Sequence, residues 1–373
     1  MATRTAVVKA YFNHGGLARP DQRVTRRVRS VDRKYAGLLF SEDGVRRLDA
    51  TLDEARVAAR SLIGAGERGG VSLLPNSSTA LNLAITILGA TLAPGALVVT
   101  TDQEHPCVTW PLGRLGARGV EVATIGGGSP TEFLENLRAL IGRRRPDFAV
   151  FSHVSCKDGR ILPVEDAGEI LAPQEIPYIV DGAQALGQVA VDVTRIKAWA
   201  YAFTGHKWLF GPMGTGGLWT SDRFLRANTL AWTGPVGLIR KGGGELESGS
   251  LNCALFAGMA EALRACAGEF ASRVETLTRL RGRIGGFLDR LYENTASRWN
   301  GPHAPGILAY ALPSKVRSEE LAEAALDRFG VAIKPLRPPQ ETNGFRVTFS
   351  PWTTDDEVEL LGEAMRTLAP ESH

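Results

Sequence analysis

From about residue 50 to residue 255, short apolar runs alternate with stretches whose apolar positions recur at helical spacing. The runs are 71–74, 97–101, 120–125, 148–153, 178–181, 200–204 and 216–220, each bounded by glycine, proline or polar residues. Continuous apolar runs of this length fit strands buried on both faces. The segments between them, such as 80–89 and 131–142, are amphipathic. This alternation predicts an α/β domain on a mainly parallel seven-stranded sheet. Sheets of that kind gather ligands at the carboxyl ends of their strands.

Beyond Asn252 the pattern changes. A helical stretch is expected over about 253–294, interrupted near Gly268 and at Gly285-Gly286. A strand at 306–312, a helix at 318–329, strands at 331–335 and 345–349 and a helix at 354–368 follow. The last helix opens with Thr354-Asp355-Asp356-Glu357, a capping-box pattern in which Thr and Glu satisfy the first free backbone donors. Together these elements predict a small C-terminal α+β domain. Residues 11–20 are rich in glycine and polar side chains and are expected to wrap over the site. The expected division is an N-terminal segment over residues 1–25, a large α/β domain over 26–255, and the small domain with its linking helix over 256–373.

At 373 residues the chain is too long for one core, which agrees with two domains. The net charge of +3, from 43 basic and 40 acidic residues, is too small an excess to argue for nucleic acid or a membrane surface. The four cysteines form no CxxC pair, and the six histidines lack metal-ligand spacing, so no metal is expected. No run reaches the ~18 apolar residues of a membrane span, and the first residues lack an apolar signal core. A cytoplasmic, reduced protein is the expectation.

Two motifs carry chemistry. Tyr178-Ile179-Val180-Asp181-Gly182-Ala183-Gln184 reads as a buried strand ending in an aspartate. A carboxylate there is costly to bury without a partner. A structural cap, a metal ion or the protonated ring nitrogen of a cofactor would each supply one. The second motif is Ala202-Phe203-Thr204-Gly205-His206-Lys207-Trp208-Leu209, which continues into Gly211-Pro212-Met213-Gly214-Thr215-Gly216-Gly217. Lys207 falls on a turn directly after a strand, crowded by glycines and aromatics. Desolvation there favours the neutral amine and hence a Schiff base. A nucleotide loop is the competing reading of the glycines, but neither GxxxxGK[ST] nor GxGxxG stands here in a strand–turn–helix context.

Asp181-Gly182-Ala183-Gln184 followed by Thr204-Gly205-His206-Lys207-Trp208 and Gly211-Pro212 resembles the class V aminotransferase family of fold-type I pyridoxal-phosphate (PLP) enzymes. The likeness lies nearest the branch of cysteine desulfurases and selenocysteine lyases. Asp181 and Lys207 stand 26 positions apart. The resemblance covers roughly residues 10–365 and is most specific over 178–220. It implies PLP held on Lys207, with Asp181 supporting the ring nitrogen.

The other roles are carried over on matching residues. Pro75-Asn76-Ser77-Ser78-Thr79-Ala80-Leu81-Asn82 is similar to the family's phosphate-anchoring turn, implicating Ser78 and Thr79, although a plain helix cap uses the same residue types. In Asp102-Gln103-Glu104-His105-Pro106, His105 matches the histidine that stacks on the cofactor ring. Gln184 resembles the residue that hydrogen-bonds the phenolic oxygen, and Thr204 and His206 resemble phosphate ligands. Glu247-Ser248-Gly249-Ser250 resembles a segment whose hydroxyl, here that of Ser250, reaches the phosphate held by the other subunit of a homodimer. Arg346, in Phe345-Arg346-Val347-Thr348-Phe349-Ser350, matches the arginine whose fork binds the substrate α-carboxylate. Asn13 and His14, in Asn13-His14-Gly15-Gly16, match a loop that approaches the substrate.

The implied reaction begins with an amino acid taking the place of Lys207 on the cofactor. The released amine is then the natural base for the α-proton. Elimination of a β-substituent, transamination and racemisation all branch from that step. Cysteine desulfurases carry a nucleophilic cysteine in the C-terminal domain, whereas residues 301–350 contain none. Cys156, in Ser155-Cys156-Lys157-Asp158-Gly159, is read as a small packing residue. A carbon–sulfur lyase of a cysteine-type substrate is the leading expectation, an aminotransferase the runner-up, and a non-catalytic PLP-fold binding protein the alternative of another class.

Overall fold

The seven apolar runs between residues 70 and 220 each form a strand in the computed structural model, which describes residues 7–35, 37, 41–227, 244–338 and 341–369. The chain opens with β1 (Ala10–Tyr11), α1 (Gln22–Tyr35) and α2 (Glu42–Leu62). Strand and helix then alternate through β2 (Gly70–Leu74), α3 (Ser77–Gly89), β3 (Leu97–Thr101), α4 (Pro106–Gly116), β4 (Glu121–Ile125) and α5 (Pro130–Arg143). Next come β5 (Phe148–Ser152), α6 (Val164–Leu171), β6 (Tyr178–Asp181), α7 (Val193–Ile196), β7 (Ala200–Thr204), β8 (Gly216–Thr220) and α8 (Asp222–Ala227). After the long α9 (Cys253–Leu288) stand β9 (Glu293–Asn294), β10 (Ile307–Ala311), α10 (Ser318–Phe329) and β11 (Val331–Ala332). The described elements end with β12 (Lys334–Leu336), β13 (Gly344–Thr348) and α11 (Asp355–Thr367).

Two compact units result. One comprises Arg19–Ser155 and Leu162–Glu269; the other comprises Met1–Ala18, Cys156–Ile161 and Phe270–His373. The first holds the seven-stranded sheet, in the order β2-β8-β7-β6-β5-β3-β4. β7, β6, β5, β3 and β4 run parallel, while β8 is antiparallel to both its neighbours. All residues of β3, β5, β6 and β7 are buried, whereas the edge strand β4 is partly exposed. A strand covered on both faces has no use for polar alternation, which is why these runs read as uniformly apolar.

The second unit carries a four-stranded sheet, β12-β13-β10-β9, and a two-stranded one in which β1 runs parallel to β11. The expected strand over 331–335 is therefore two strands in two sheets, with Ile333 between them. Pro335, which cannot donate to a ladder, lies on the edge strand β12. The capping box of the last helix is present, with Thr354 and Glu357 bonding reciprocally.

The expected breaks in the long helix do not occur. α9 passes through Gly268 and Gly285-Gly286 without interruption and stops at Leu288 rather than near residue 294. A mid-helix glycine costs ~1 kcal/mol relative to alanine but leaves the hydrogen-bond ladder intact. The surrounding alanine, leucine and arginine residues are strong helix formers and outweigh it.

The segment leading into α9 is pinned by a buried ion pair. Arg56 on α2 donates from Nε to Glu247 Oε1 at 2.9 Å and from Nη2 to Oε2 at 2.5 Å, and Leu73 N–H reaches Oε1 at 2.8 Å. Both side chains are buried, while Ser248, Gly249 and Ser250 just beyond are exposed. Truncating one partner leaves the other charge buried. Glu247→Ala should therefore destabilise the chain by about 3 kcal/mol, read as a fall in the urea midpoint at unchanged slope.

Candidate active site

The polar motifs converge at the carboxyl edge of the seven-stranded sheet because parallel strands deliver their ends to one side. β3 leads into His105, β6 ends at Asp181, and β7 ends at Thr204 and turns into Lys207. Residues far apart in sequence are thus delivered to one edge of the sheet.

Asp181 is the most constrained of them. Its carboxylate is buried; Oδ1 accepts from Ala183 N–H at 2.9 Å, and among the described residues Oδ2 meets only the Cys107 thiol, at 3.9 Å. Burial pushes its pKa up, against the Ala183 amide, the Lys207 charge and the Cys107 thiol, which pull it down. A buried carboxylate oxygen with one long thiol contact fits a cationic N–H donor such as a protonated ring nitrogen. Gly182 is required beside it: a Cβ there would lie 2.1 Å from the Tyr201 ring. Gly205 is likewise forced, since its Cβ would fall 2.2 Å from Thr215 Oγ1.

His105 caps α4, its Nδ1 accepting from Cys107 N–H at 3.2 Å, and is itself exposed. That bond fixes Nδ1 as an acceptor and leaves any proton of the neutral ring on Nε2. Gln184 is buried, and its Oε1 accepts from Trp208 Nε1 at 2.8 Å, which commits the amide nitrogen to donating. Thr204 Oγ1 and His206 Nδ1 are 2.9 Å apart. Burial, aided by the Lys207 charge, lowers the His206 pKa to about 4, so the ring is neutral.

At the start of α3 the cap is Asn76, whose Oδ1 accepts from Thr79 N–H at 2.8 Å and from Thr79 Oγ1 at 3.2 Å. Capping therefore does not occupy the Ser78 hydroxyl, and Ser78 and Thr79 are both exposed at the helix N-terminus. An anion there would meet oriented backbone donors. Ser250 is exposed on the segment before α9.

The remaining expected residues belong to the other unit. Arg346 on β13 is buried, donates from Nη1 to the Cys156 carbonyl, and has no partner for Nε among the described residues. Burial lowers the pKa of its guanidinium. Such a group fits an anionic acceptor. Asn13 bridges Thr348, His14 N–H reaches Thr348 O at 3.3 Å, and Gly15 N–H reaches Thr348 Oγ1 at 2.9 Å. His14 is buried edge-on against Tyr11, with ring centroids 5.0 Å apart.

Four residues of the site escape sequence reasoning: Glu104, Cys107 and Tyr201 near Asp181, and Trp208 beside Gln184. Only strand order places the first three near Asp181. Trp208 stood inside a quoted motif, but its bond to Gln184 spans 24 positions and depends on the turn geometry.

Known proteins resemble this chain along its length. The family model described as Aminotransferase class-V matches residues 10–361. Isopenicillin N epimerase of Streptomyces clavuligerus is 28% identical over 88% of this chain and 87% of its own. Cysteine desulfurase IscS of Haemophilus ducreyi is 31% identical over 63% of this chain and 57% of its own. Among solved structures, a cysteine desulfurase from Thermococcus onnurineus NA1 superposes with a TM-score of 0.84 at 23% identity, covering 98% and 97% of the two chains. The cystine C-S lyase C-DES does so at 0.83 and 19% identity, over 96% and 98%. These structural likenesses establish the fold, an α/β large domain of the fold-type I PLP class with a small α+β domain. Trp208→Phe, which leaves the buried Gln184 oxygen without its donor, should destabilise the chain by about 1–3 kcal/mol, read as a fall in the urea midpoint.

Proposed function

The chain belongs to the class V aminotransferase family of PLP-dependent enzymes, and from that premise we propose that it is a carbon–sulfur lyase acting on a cysteine-type amino acid. The observation that carries the cofactor part of this reading is the buried carboxylate of Asp181 beside Lys207, and the likeness to cysteine desulfurases supports the cysteine-type substrate. In this assignment Lys207 binds the cofactor aldehyde, Asp181 supports the ring nitrogen, His105 stacks on the ring, and Gln184 donates to the phenolic oxygen. Ser78, Thr79, Thr204 and His206 hold the phosphate, with Ser250 of the second copy in a homodimer. Arg346 takes the substrate α-carboxylate, and Asn13 and His14 belong to the loop that approaches the substrate.

When bound, the cofactor supplies an electron sink for the pair left behind by the α-proton. The Lys207 amine takes that proton. The Cβ–S bond would then break, sulfur leaving with the bond's electron pair and taking up a proton to give a thiol, and the three-carbon remainder would take up water to give pyruvate and ammonia. With no cysteine over residues 301–350 to capture sulfur, direct release of the thiol is favoured over persulfide transfer. The likeness to isopenicillin N epimerase, which spans more of the chain than that to IscS of Haemophilus ducreyi, supports a second reading: inversion at the α-carbon. Transamination is the third outcome of the same proton removal.

A screen of amino acids against the purified holoenzyme separates these. Equal yields of pyruvate and thiol from S-substituted cysteines support the lyase. Loss of optical activity without pyruvate, or conversion of the cofactor to its amine form, overturns it. Lys207→Ala should lower turnover by ~100-fold or more, the usual contribution of a general base, and leave no cofactor attached after borohydride treatment. Arg346→Ala should raise KM about 10- to 100-fold for substrates bearing the carboxylate, as expected for losing a charge-assisted pair. An equal loss with decarboxylated analogues would contradict the role of Arg346.

A further inference from the structure

Glu104 is a buried acid that the chemistry above does not use. It is 3% exposed and lies where the turn after β3 meets the end of β5. Oε1 accepts from Thr101 Oγ1 at 2.6 Å and from Ser152 N–H at 2.8 Å, and Oε2 lies 2.8 Å from Ser152 Oγ. These neighbours are hydroxyls and one amide. Among the described residues no lysine, arginine or histidine forms an ion pair with Glu104.

Ser152 pairs in register with Asp181 across β5 and β6. The residue that serves Glu104 is therefore the strand neighbour of Asp181, and the Asp181 carboxylate acts on Glu104 as a like charge. The other groups nearby add no positive charge. Tyr178 on β6 and Tyr201 on β7 have pKa values held well above the ordinary phenol by burial. His153, 3.1 Å through Nδ1 from the Tyr201 hydroxyl, is lowered by burial to about 4 and is neutral. Asp102 and His105 flank Glu104 in the chain and are both exposed. Lys207, a cation at this end of the sheet, acts on Asp181.

Two buried carboxyls that interact, with a cation acting on only one of them, resist ionising together. We propose that Glu104 and Asp181 share a single negative charge, with Asp181 as the anion and Glu104 as the member that carries the proton. The inference deepens the assignment of Asp181 as the partner of the cofactor ring and rests on it for its consequence, though not for its test. The geometry offers the proton a place. Oε1 already receives two donors and acts as the carbonyl oxygen, while Oε2 faces only the Ser152 hydroxyl, which accepts as readily as it donates. Burial raises the Glu104 pKa from 4.5 to about 7, in line with this arrangement. Glu104 is then a positioning residue. It holds the net charge of the pair at minus one, which a single ring nitrogen would satisfy, and its ionisation above neutrality would add a second negative charge near Asp181.

The test begins with the apoprotein. An acid whose folded pKa lies above its unfolded value contributes full stability below the unfolded pKa and loses that contribution as pH rises through the folded one. Between about pH 5 and pH 8 the wild type should therefore lose about 3 °C or more of Tm beyond what Glu104→Gln loses. Parallel curves would mean that Glu104 is charged throughout and would overturn the proposal. Should the variant fail to fold, infrared difference spectra of wild-type protein with isotope-labelled glutamate serve instead. A protonated glutamate band at mildly acidic pH that bleaches above neutrality supports the proposal, and absence of the band overturns it. Neither measurement involves the cofactor, so they stand or fall apart from borohydride mapping of Lys207. In the holoenzyme, the cofactor absorbance should titrate with an inflection near neutrality that Glu104→Gln abolishes.

Discussion

A carboxylate with almost nothing to bond to is the constraint around which the large unit is organised. Asp181 ends the central strand β6 with its charge buried, one backbone amide on one oxygen and a single long thiol contact on the other. Removing an ionised carboxylate from water costs several kcal/mol unless a cation compensates. The neighbourhood keeps that demand open instead of meeting it with an arginine. The nearby tyrosines stay neutral, His153 stays neutral, and among the described residues only the Lys207 amine acts on it as a cation.

The sheet topology explains how so many polar groups reach one edge without unravelling the core. The interior strands are covered on both faces and carry almost no polar side chains, so their ends are where polar residues accumulate. β3, β5, β6 and β7 supply Glu104 and His105, Ser152 and His153, Asp181, and Thr204 with Lys207 in turn. Several of these side chains are locked by one another: Gln184 by Trp208, Thr204 by His206, Glu104 by Ser152. Side chains held this way lose little freedom when a ligand arrives, which favours tight and oriented binding.

The second unit shows the same economy in a different frame. Arg346 sits on an interior strand with its guanidinium buried and one nitrogen unpartnered among the described residues. The N-terminal strand β1 joins β11, so the loop bearing Asn13 and His14 is tied to Thr348 by backbone bonds rather than left to wander. In both units an unsatisfied charge is held by backbone geometry that would be hard to relax.

Much was legible from the chain alone. Short apolar runs marked all seven strands, most uniformly those buried on both faces, while the partly exposed edge strand β4 carries Glu121 and Thr124 in its run. The Thr354–Glu357 box was visible because capping is a local interaction of three residues' reach. Asp181 and Lys207 stood out as polar residues at the ends of apolar runs. Helix continuity through Gly268 and Gly285-Gly286 was misjudged because local propensity cannot weigh a 36-residue helix as a whole. The split of 331–335 into two sheets was hidden because only partner strands separate them.

The residues that tertiary structure alone disclosed share one property: their meaning lies in a contact across the sheet. Glu104 reads as one more polar residue in a turn until β3 and β5 become neighbours and Ser152 closes over it. Gly182 looks like any turn glycine until the Tyr201 ring arrives from β7. Local sequence determines which groups a strand end presents. Strand order, set by packing of the entire sheet, decides which of those groups must share a charge.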